Sequence, residues 1–225
     1  MNQKTLHSTI INPDGPTAEY AMIWMHGLGA NANDFVHLPT ELNLPEPIKM
    51  RFIFPNAPLL EVTINNGLKM PAWFDIESLT TLDHEDAEGI HDSQAKIEEL
   101  ISQQVNLGIQ PEKIFLGGFS QGGALALLTG LKYKKRLAGV ISLSSYLPLI
   151  HSTQEKIYEK NTLNVPIFLG HGTMDNIVPL SLGEKTKSVL EALGYHVTWH
   201  TYEFAHQVSF QEIQDMQRWI IKQIS

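Results

Sequence analysis

The sequence of 225 residues contains no cysteine, which excludes disulfide bonds, thiolate nucleophiles and cysteine-ligated zinc or iron–sulfur sites. It also has no apolar stretch that approaches the ~18 residues of a membrane-spanning helix. The first residues show no charged-then-apolar pattern of a secretory signal. We therefore expect a soluble, cytoplasmic protein without stable membrane insertion.

Basic residues are scarce as well, with 16 Lys and Arg against 24 Asp and Glu and a formal charge of −8. Because phosphate binding requires clustered Lys and Arg, we expect no nucleic-acid partner. The one short basic cluster, at 132–136, is interpreted as a solvated helix end. Gly27 and Gly29 form a G-x-G pair, but no third glycine follows at the spacing of a dinucleotide site.

An apolar fraction of 43% provides for a sizeable core, and we expect one domain over residues 1–225. Short apolar runs alternate with helical patterns, which predicts an α/β fold with a mostly parallel sheet and helices on both faces. In such sheets, ligands bind at the carboxyl ends of the strands. The predicted strands are 21–25, 51–54, 113–116, 139–143, 165–169 and 197–202, and the predicted helices are 85–107, 121–131, 181–193 and 207–224.

Segment 55–82 departs from this alternation because it is long, rich in apolar residues and without a clean period. Long irregular segments in compact domains are often functional. We therefore interpret it as an irregular segment that contributes to the site, although ordinary core packing is an alternative for each of its apolar residues.

The strongest motif is GFSQG at 118–122, which matches G-x-S-x-G between a predicted strand and a predicted helix. A serine at such a sharp turn has strained backbone angles and needs small neighbours. Its position at a helix N-terminus also favours negative charge. Ser120 is thus the candidate nucleophile; the alternative is a glycine-rich turn with Ser120 as an ordinary N-cap.

A serine nucleophile needs a base, and the base needs an orienting carboxylate. Among the histidines after Ser120, only His206 lies between the last predicted strand and the last predicted helix. Asp175 lies in the loop after the preceding predicted strand, which gives the order serine, acid, histidine of an α/β-hydrolase. Asp215 falls within the last helix and is interpreted as a surface charge. His171 and Asp175 are four residues apart, but no third ligand accompanies them, so we expect no metal site.

The first core strand runs into a His-Gly turn at His26 and Gly27. Such a turn can aim a backbone N–H at the acyl oxygen. Leu28 would supply one N–H, and Gln121, directly after the nucleophile, would supply the other. His26 itself is interpreted as a structural histidine that fixes the turn.

Taken together, six blocks resemble the phospholipase/carboxylesterase family, which includes the acyl-protein thioesterases and bacterial carboxylesterases. The resemblance runs from about residue 20 to the C-terminus. The blocks are HGLGANANDF (26–35), RFIFPNAP (51–58), MPAWFDI (70–76), KIFLGGFSQGGALAL (113–127), HGTMDNIVP (171–179) and YEFAHQV (202–208). The resemblance implies a compact α/β-hydrolase without a large cap domain, with Ser120, Asp175 and His206 as the triad and Leu28 and Gln121 as oxyanion donors.

The same resemblance implies that segment 55–82 forms much of an acyl groove. The expected groove residues are Ile64, Met70, Trp73, Tyr146, Leu147, Ile177 and Val178. Two departures from the family pattern bear on shape. Residues 31–33 (NAN) replace a more usual Asp-Gly turn, which asparagine can preserve because it tolerates positive φ. Residues 204–205 (FA) replace a frequent Met-Gly before the histidine.

These observations indicate a serine hydrolase that cleaves esters or thioesters of acyl substrates through an acyl-enzyme, without a metal or cofactor. Lysophospholipid or peptide hydrolysis on the same fold is an alternative. A third hypothesis is a catalytically silent binding protein on a hydrolase scaffold. The sequence does not determine the natural substrate. It does not determine the oligomeric state either, for which a homodimer is one alternative.

Overall fold

The computed structural model describes residues 6–12, 18–79, 84–150 and 164–224. Its strands are β1 (Ser8–Ile11), β2 (Tyr20–Met25), β3 (Met50–Pro55), β4 (Leu59–Val62), β5 (Leu68–Pro71), β6 (Ile114–Phe119), β7 (Gly139–Leu143), β8 (Ile167–Gly172) and β9 (Val197–Tyr202). Its α-helices are α1 (Leu38–Leu42), α2 (Ala87–Asn106), α3 (Gln121–Lys132), α4 (Leu180–Ala192) and α5 (Phe210–Ile224).

Seven strands form the central sheet in the order β1-β3-β2-β6-β7-β8-β9. All neighbours are parallel except β1, which pairs antiparallel with β3 at one edge. The chain moves from β2 towards one edge and from β6 towards the other, so the topological switch point lies between these two strands. Met25 pairs with Gly118 at their carboxyl ends, where ligands of open α/β sheets bind.

Each face of the sheet covers a separate apolar core. Alternate residues of β2 serve the two cores, with Ile23 in one and Trp24 in the other. The first core also contains side chains of α2, α3 and α4, and the second contains side chains of α1 and α5. Because both faces are buried, the strands lack polar alternation. The predicted doubly covered, mostly parallel α/β sheet is confirmed, and the described residues contain no large cap domain.

Two elements differ from the sequence prediction. The edge strand β1 was not predicted. Segment 55–82, predicted to be irregular, contains the β4–β5 hairpin, which turns through Asn66 and Gly67 at positive φ. Strands of four residues carry too few side chains for a readable period. Residues 80–83 of that segment lie outside the described residues.

The turn at 31–33 also differs from expectation. Asn31 has an extended backbone with φ −155° rather than a positive φ, and it caps the short 3₁₀ helix Ala32–Asp34. Its side chain accepts a hydrogen bond from the Asn33 N–H, and the Asp34 carboxylate accepts one from the Asn31 N–H. This capping box replaces the expected left-handed asparagine.

None of the helices among the described residues combines the length and the apolar character that crossing a bilayer requires.

Candidate active site

Ser120 connects β6 to α3 through a strained backbone, with φ 54° and ψ −123°. A positive φ is uncommon for a non-glycine residue, and such strain clusters at functional sites. The neighbouring strand β7 holds the turn in place. The Ser120 N–H donates to the Leu143 carbonyl at 2.9 Å, and the Ser145 hydroxyl donates to the Ser120 carbonyl at 2.7 Å.

The two glycines of the motif are required because there is no room for a side chain at either position. A Cβ added to Gly118 would lie 2.3 Å from the carbonyl carbon of Gly122, and one added to Gly122 would lie 2.2 Å from the Met25 carbonyl oxygen. Both contacts are with backbone atoms, which cannot move aside cheaply. The motif therefore lets α3 begin directly against the end of β2.

Asp175 and His206 form the second part of the site. The His206 Nδ1 lies 2.7 Å from the Asp175 Oδ2. The Asp175 Oδ1 accepts hydrogen bonds from the N–H groups of Ile177 and Val178, both at 2.9 Å. An ionised carboxylate only accepts hydrogen bonds, so the His206 Nδ1 carries the proton and its Nε2 is left as a base. The Phe119 ring packs against the imidazole, with 4.7 Å between the centroids.

His171, to which the sequence prediction gave no role, lies next to the candidate acid Asp175. Its ring is buried, and its Nε2 donates to the Val178 carbonyl at 2.9 Å and lies 3.7 Å from the Asp175 Oδ2. Burial lowers the pKa of His171, although the Val178 carbonyl and the Asp175 carboxylate act in the opposite direction. A Cβ added to Gly183 of α4 would lie 2.5 Å from the His171 Nδ1. The sequence signal that could have indicated a role for His171 is its position at the carboxyl end of the buried strand β8.

A cavity of about 220 Å³ joins these elements. Ser120, His206, Leu28 and Gln121 all contribute to its wall, so the structure brings the candidate nucleophile, the candidate base and both predicted oxyanion residues together. The rest of the wall is mainly apolar and consists of Gly27, Ala30, Ile76, Leu79, Phe119, Tyr146, Ile177 and Val178. Ile76, Leu79 and Phe119 are lining residues that the sequence prediction missed, because an apolar residue type does not reveal which surface it faces.

Leu28 and Gln121, whose backbone N–H groups are the predicted oxyanion donors, both line this cavity. Neither N–H has a hydrogen-bond acceptor among the residues that the structure describes. Two unpaired N–H groups beside a candidate nucleophile can stabilise an oxyanion.

Four expected groove residues do not line the cavity. Trp73 is 1% exposed, and its Nε1 donates to the His26 carbonyl at 2.8 Å. Leu147 is fully buried, and its N–H donates to the Thr186 hydroxyl. The expectation for these two residues is wrong, because both side chains fill the core behind the site. Met70 and Ile64 lie on the hairpin side, where Ile64 is 41% exposed.

Other candidate groups lie away from the triad. His200 stacks between Phe168 and Tyr202, which agrees with its interpretation as a packed histidine. Asp215 accepts a hydrogen bond from the Tyr202 hydroxyl at 3.1 Å. Within the described ranges, no group of three His, Cys, Asp or Glu side chains could hold a metal ion.

The chain was compared with known proteins. Residues 6–224 match the family model described as phospholipase/carboxylesterase. The chain is 36% identical over 212 residues to acyl-protein thioesterase 1 of Gibberella zeae, with 90% of each chain covered. It is 37% identical over 220 residues to acyl-protein thioesterase 1 of Saccharomyces cerevisiae, covering 92% of this chain and 94% of that relative.

Solved structures agree with this assignment. Arabidopsis thaliana SOBER1 superposes with a TM-score of 0.86 at 29% identity, covering 92% of this chain and all of that one. Zea mays acyl-protein thioesterase 2 superposes with a TM-score of 0.83 at 26% identity, covering 97% and 99%. With its α/β-hydrolase sheet and its matched length, this chain belongs to the phospholipase/carboxylesterase family and is a hydrolase of the esterase and thioesterase class.

Proposed function

We propose that this protein cleaves carboxylic ester or thioester bonds of acyl substrates, with Ser120 as nucleophile, His206 as general base and Asp175 as the orienting acid. The observation that carries the proposal is the 2.7 Å bond between Asp175 and His206 beside the cavity that Ser120 also lines. A nucleophile, a base and an orienting carboxylate are the parts that serine-based acyl transfer requires.

The reaction follows from these groups. The Ser120 Oγ attacks the acyl carbonyl while the His206 Nε2 takes its proton. His206 then gives that proton to the leaving alcohol or thiol, and the acyl group stays on Ser120 as an ester. Water, deprotonated by His206, attacks this acyl-enzyme and releases the carboxylic acid. Asp175 stabilises the imidazolium that forms in each half.

The unpaired N–H groups of Leu28 and Gln121 would bind the negative oxygen of the tetrahedral intermediates. Both donors belong to backbone segments that are fixed by other contacts, so they require no reorganisation during the reaction. The residues proposed for the acyl chain are Tyr146, Ile177 and Val178, together with Ile76 and Leu79. Their apolar surface suits a hydrocarbon chain next to the reacting carbonyl.

The names of the relatives favour a thioester as the scissile bond, since several are acyl-protein thioesterases. A lysophospholipid stays the second candidate because the family name includes phospholipases. Kinetics on thioesters, oxygen esters and lysophospholipids with the same acyl chain separate these classes. A homodimer remains a prediction. Light scattering after size-exclusion chromatography tests it.

The experiment for the proposal is intact-mass analysis after treatment with an alkyl fluorophosphonate. One adduct on the wild type, absent from Ser120→Ala and retained by Ser188→Ala, is expected. Ser188 is a matched control because it is an exposed helical serine whose hydroxyl donates to the Glu184 carbonyl. A folded wild type without an adduct would overturn the proposal and favour a binding protein.

A further inference from the structure

His26 directly follows β2 and is 1% exposed. Its ring lies between two backbone groups. The Nδ1 is 2.7 Å from the Gly27 carbonyl oxygen, and the Nε2 is 3.1 Å from the Ala57 nitrogen, which follows β3. The ring thus connects the turns after two neighbouring strands of the sheet.

Only one form of the imidazole satisfies both contacts. The Ala57 N–H can only donate, so the His26 Nε2 must offer a lone pair. The Gly27 carbonyl can only accept, so the Nδ1 must carry the proton. His26 is therefore neutral with its proton on Nδ1. Burial lowers the pKa of His26, which acts in the same direction.

The hydrogen bond from Nδ1 determines the orientation of the peptide that follows. The Gly27 carbonyl and the Leu28 N–H belong to one trans peptide unit and point in opposite directions. The Gly27 oxygen accepts from the His26 Nδ1 and from the Ala30 N–H, the latter at 3.2 Å. With its carbonyl held in this way, the unit directs the Leu28 N–H to the side away from His26.

The residues around this peptide unit are held as well. The Trp73 Nε1 donates to the His26 carbonyl at 2.8 Å, and the Gly29 N–H donates to the Pro71 carbonyl at 2.8 Å. The rings of His26 and Trp73 pack with 5.2 Å between their centroids. The turn is thereby held on both sides of the peptide unit between Gly27 and Leu28. The rotation of that peptide unit is fixed by the His26 side chain, through its bond to the Gly27 carbonyl.

We propose that His26 is a positioning residue that orients the Leu28 N–H as an oxyanion donor through its Nδ1 bond to the Gly27 carbonyl. This inference rests on the proposed function and deepens it. His26 does not touch the substrate. It acts by orienting the backbone, whereas an ordinary buried histidine only packs in the core.

The test compares three substitutions at one position. The side-chain nitrogen of asparagine occupies the place of the histidine Nδ1, so His26→Asn keeps the donor to Gly27. The terminal group of glutamine occupies the place of Nε2, so His26→Gln keeps only the partner of Ala57. We expect His26→Ala and His26→Gln to lower kcat ~100-fold with KM within about threefold, which is the loss typical of one oxyanion donor. We expect His26→Asn to recover most of kcat.

A second readout separates positioning from general damage. The inhibition constant of an alkyl trifluoromethyl ketone, which forms an oxyanion on Ser120, should rise by the factor by which kcat/KM falls. His200→Ala is the matched control, because it removes a packed histidine of β9, which three strands of the sheet separate from β2. It should lower the unfolding midpoint and leave kcat and this inhibition constant unchanged.

The outcomes distinguish the two proposals. An active wild type whose His26→Ala variant keeps kcat, or whose His26→Asn variant is no better than His26→Gln, overturns the role of His26 alone. An inactive wild type without a fluorophosphonate adduct overturns the proposed function. If His26→Ala does not fold, the comparison of His26→Asn with His26→Gln decides the question.

Discussion

The carboxamide oxygen of Gln121 accepts a hydrogen bond from the Trp73 N–H at 3.0 Å. The nitrogen of the same carboxamide donates to the Phe74 carbonyl at 2.7 Å. The side chain is buried, and through these two direct hydrogen bonds it connects the loop after β5 to the first turn of α3. One residue therefore contributes its backbone to the proposed oxyanion hole and its side chain to the wall beside it.

Gln121→Ala should lower the free energy of unfolding by about 2–4 kcal/mol, because two buried backbone groups lose their partners. The backbone N–H of residue 121 is retained, so kcat should fall less than in Ser120→Ala. Urea unfolding and steady-state kinetics measure both effects. Gln211→Ala, an exposed glutamine of α5, is the matched control. A Gln121→Ala variant as stable as this control would contradict the connection.

Ser120→Ala and His206→Ala should each lower kcat by ~10⁴ or more, and the double variant should lose little beyond either single one. The reason is that the base has no function without the nucleophile. The measurement is a double-mutant cycle on a short ester. Losses that add in log kcat would show that the two residues act independently, and the proposed triad would fail.

Ile177→Ala should reduce kcat/KM for long acyl esters more than for an acetyl ester. Ile177 is 52% exposed and lines the cavity, so it can cover the outer part of an acyl chain. Each methylene that loses its cover costs up to ~0.8 kcal/mol, which is about fourfold in rate. The control is Ile10→Ala, an isoleucine of β1 that is 50% exposed. Equal profiles for the two variants would remove Ile177 from the acyl site.

Glu212→Gln should change how stability depends on pH. Glu212 is fully buried, its Oε1 has no hydrogen-bond partner among the described residues, and burial raises its pKa from 4.5 to about 8. A raised carboxyl pKa stabilises the folded state below the unfolded pKa, and this contribution is lost as the pH rises through 8. The advantage of Glu212→Gln over the wild type should therefore grow between about pH 5 and 8, to roughly 3–5 kcal/mol.

Urea unfolding at several pH values measures that advantage. Glu19→Gln, which removes an exposed carboxylate, is the control and should show a nearly constant difference from the wild type. A pH-independent difference for Glu212→Gln would show that the buried carboxyl does not titrate in this range.

The sequence predicts the sheet and the position of the candidate nucleophile for a physical reason. Strands buried on both faces are uniformly apolar, so their ends are easy to find, and the candidate catalytic side chains follow those ends. Ser120 after β6, Asp175 after β8 and His206 after β9 obey this rule. The fold then brings together residues that are far apart in the chain.

The supporting residues escape such reasoning. Trp73 is apolar and could equally line a groove or fill the core, and only the bond of its Nε1 to the His26 carbonyl shows which it does. The roles of His171 and Glu212 depend on burial and on single contacts across the fold. No local pattern of residue types encodes a contact between elements that are distant in sequence.

The close approach of Gly183 to His171 has a consequence for how this chain can change. Glycine inside a helix is destabilising by about 1 kcal/mol relative to alanine, so Gly183→Ala would ordinarily strengthen α4. Here the added methyl group would meet the imidazole that supports Asp175. A substitution of Gly183 is therefore tolerated only if residue 171 changes with it. As long as His171 stays in place beside Asp175, α4 must keep a destabilising glycine.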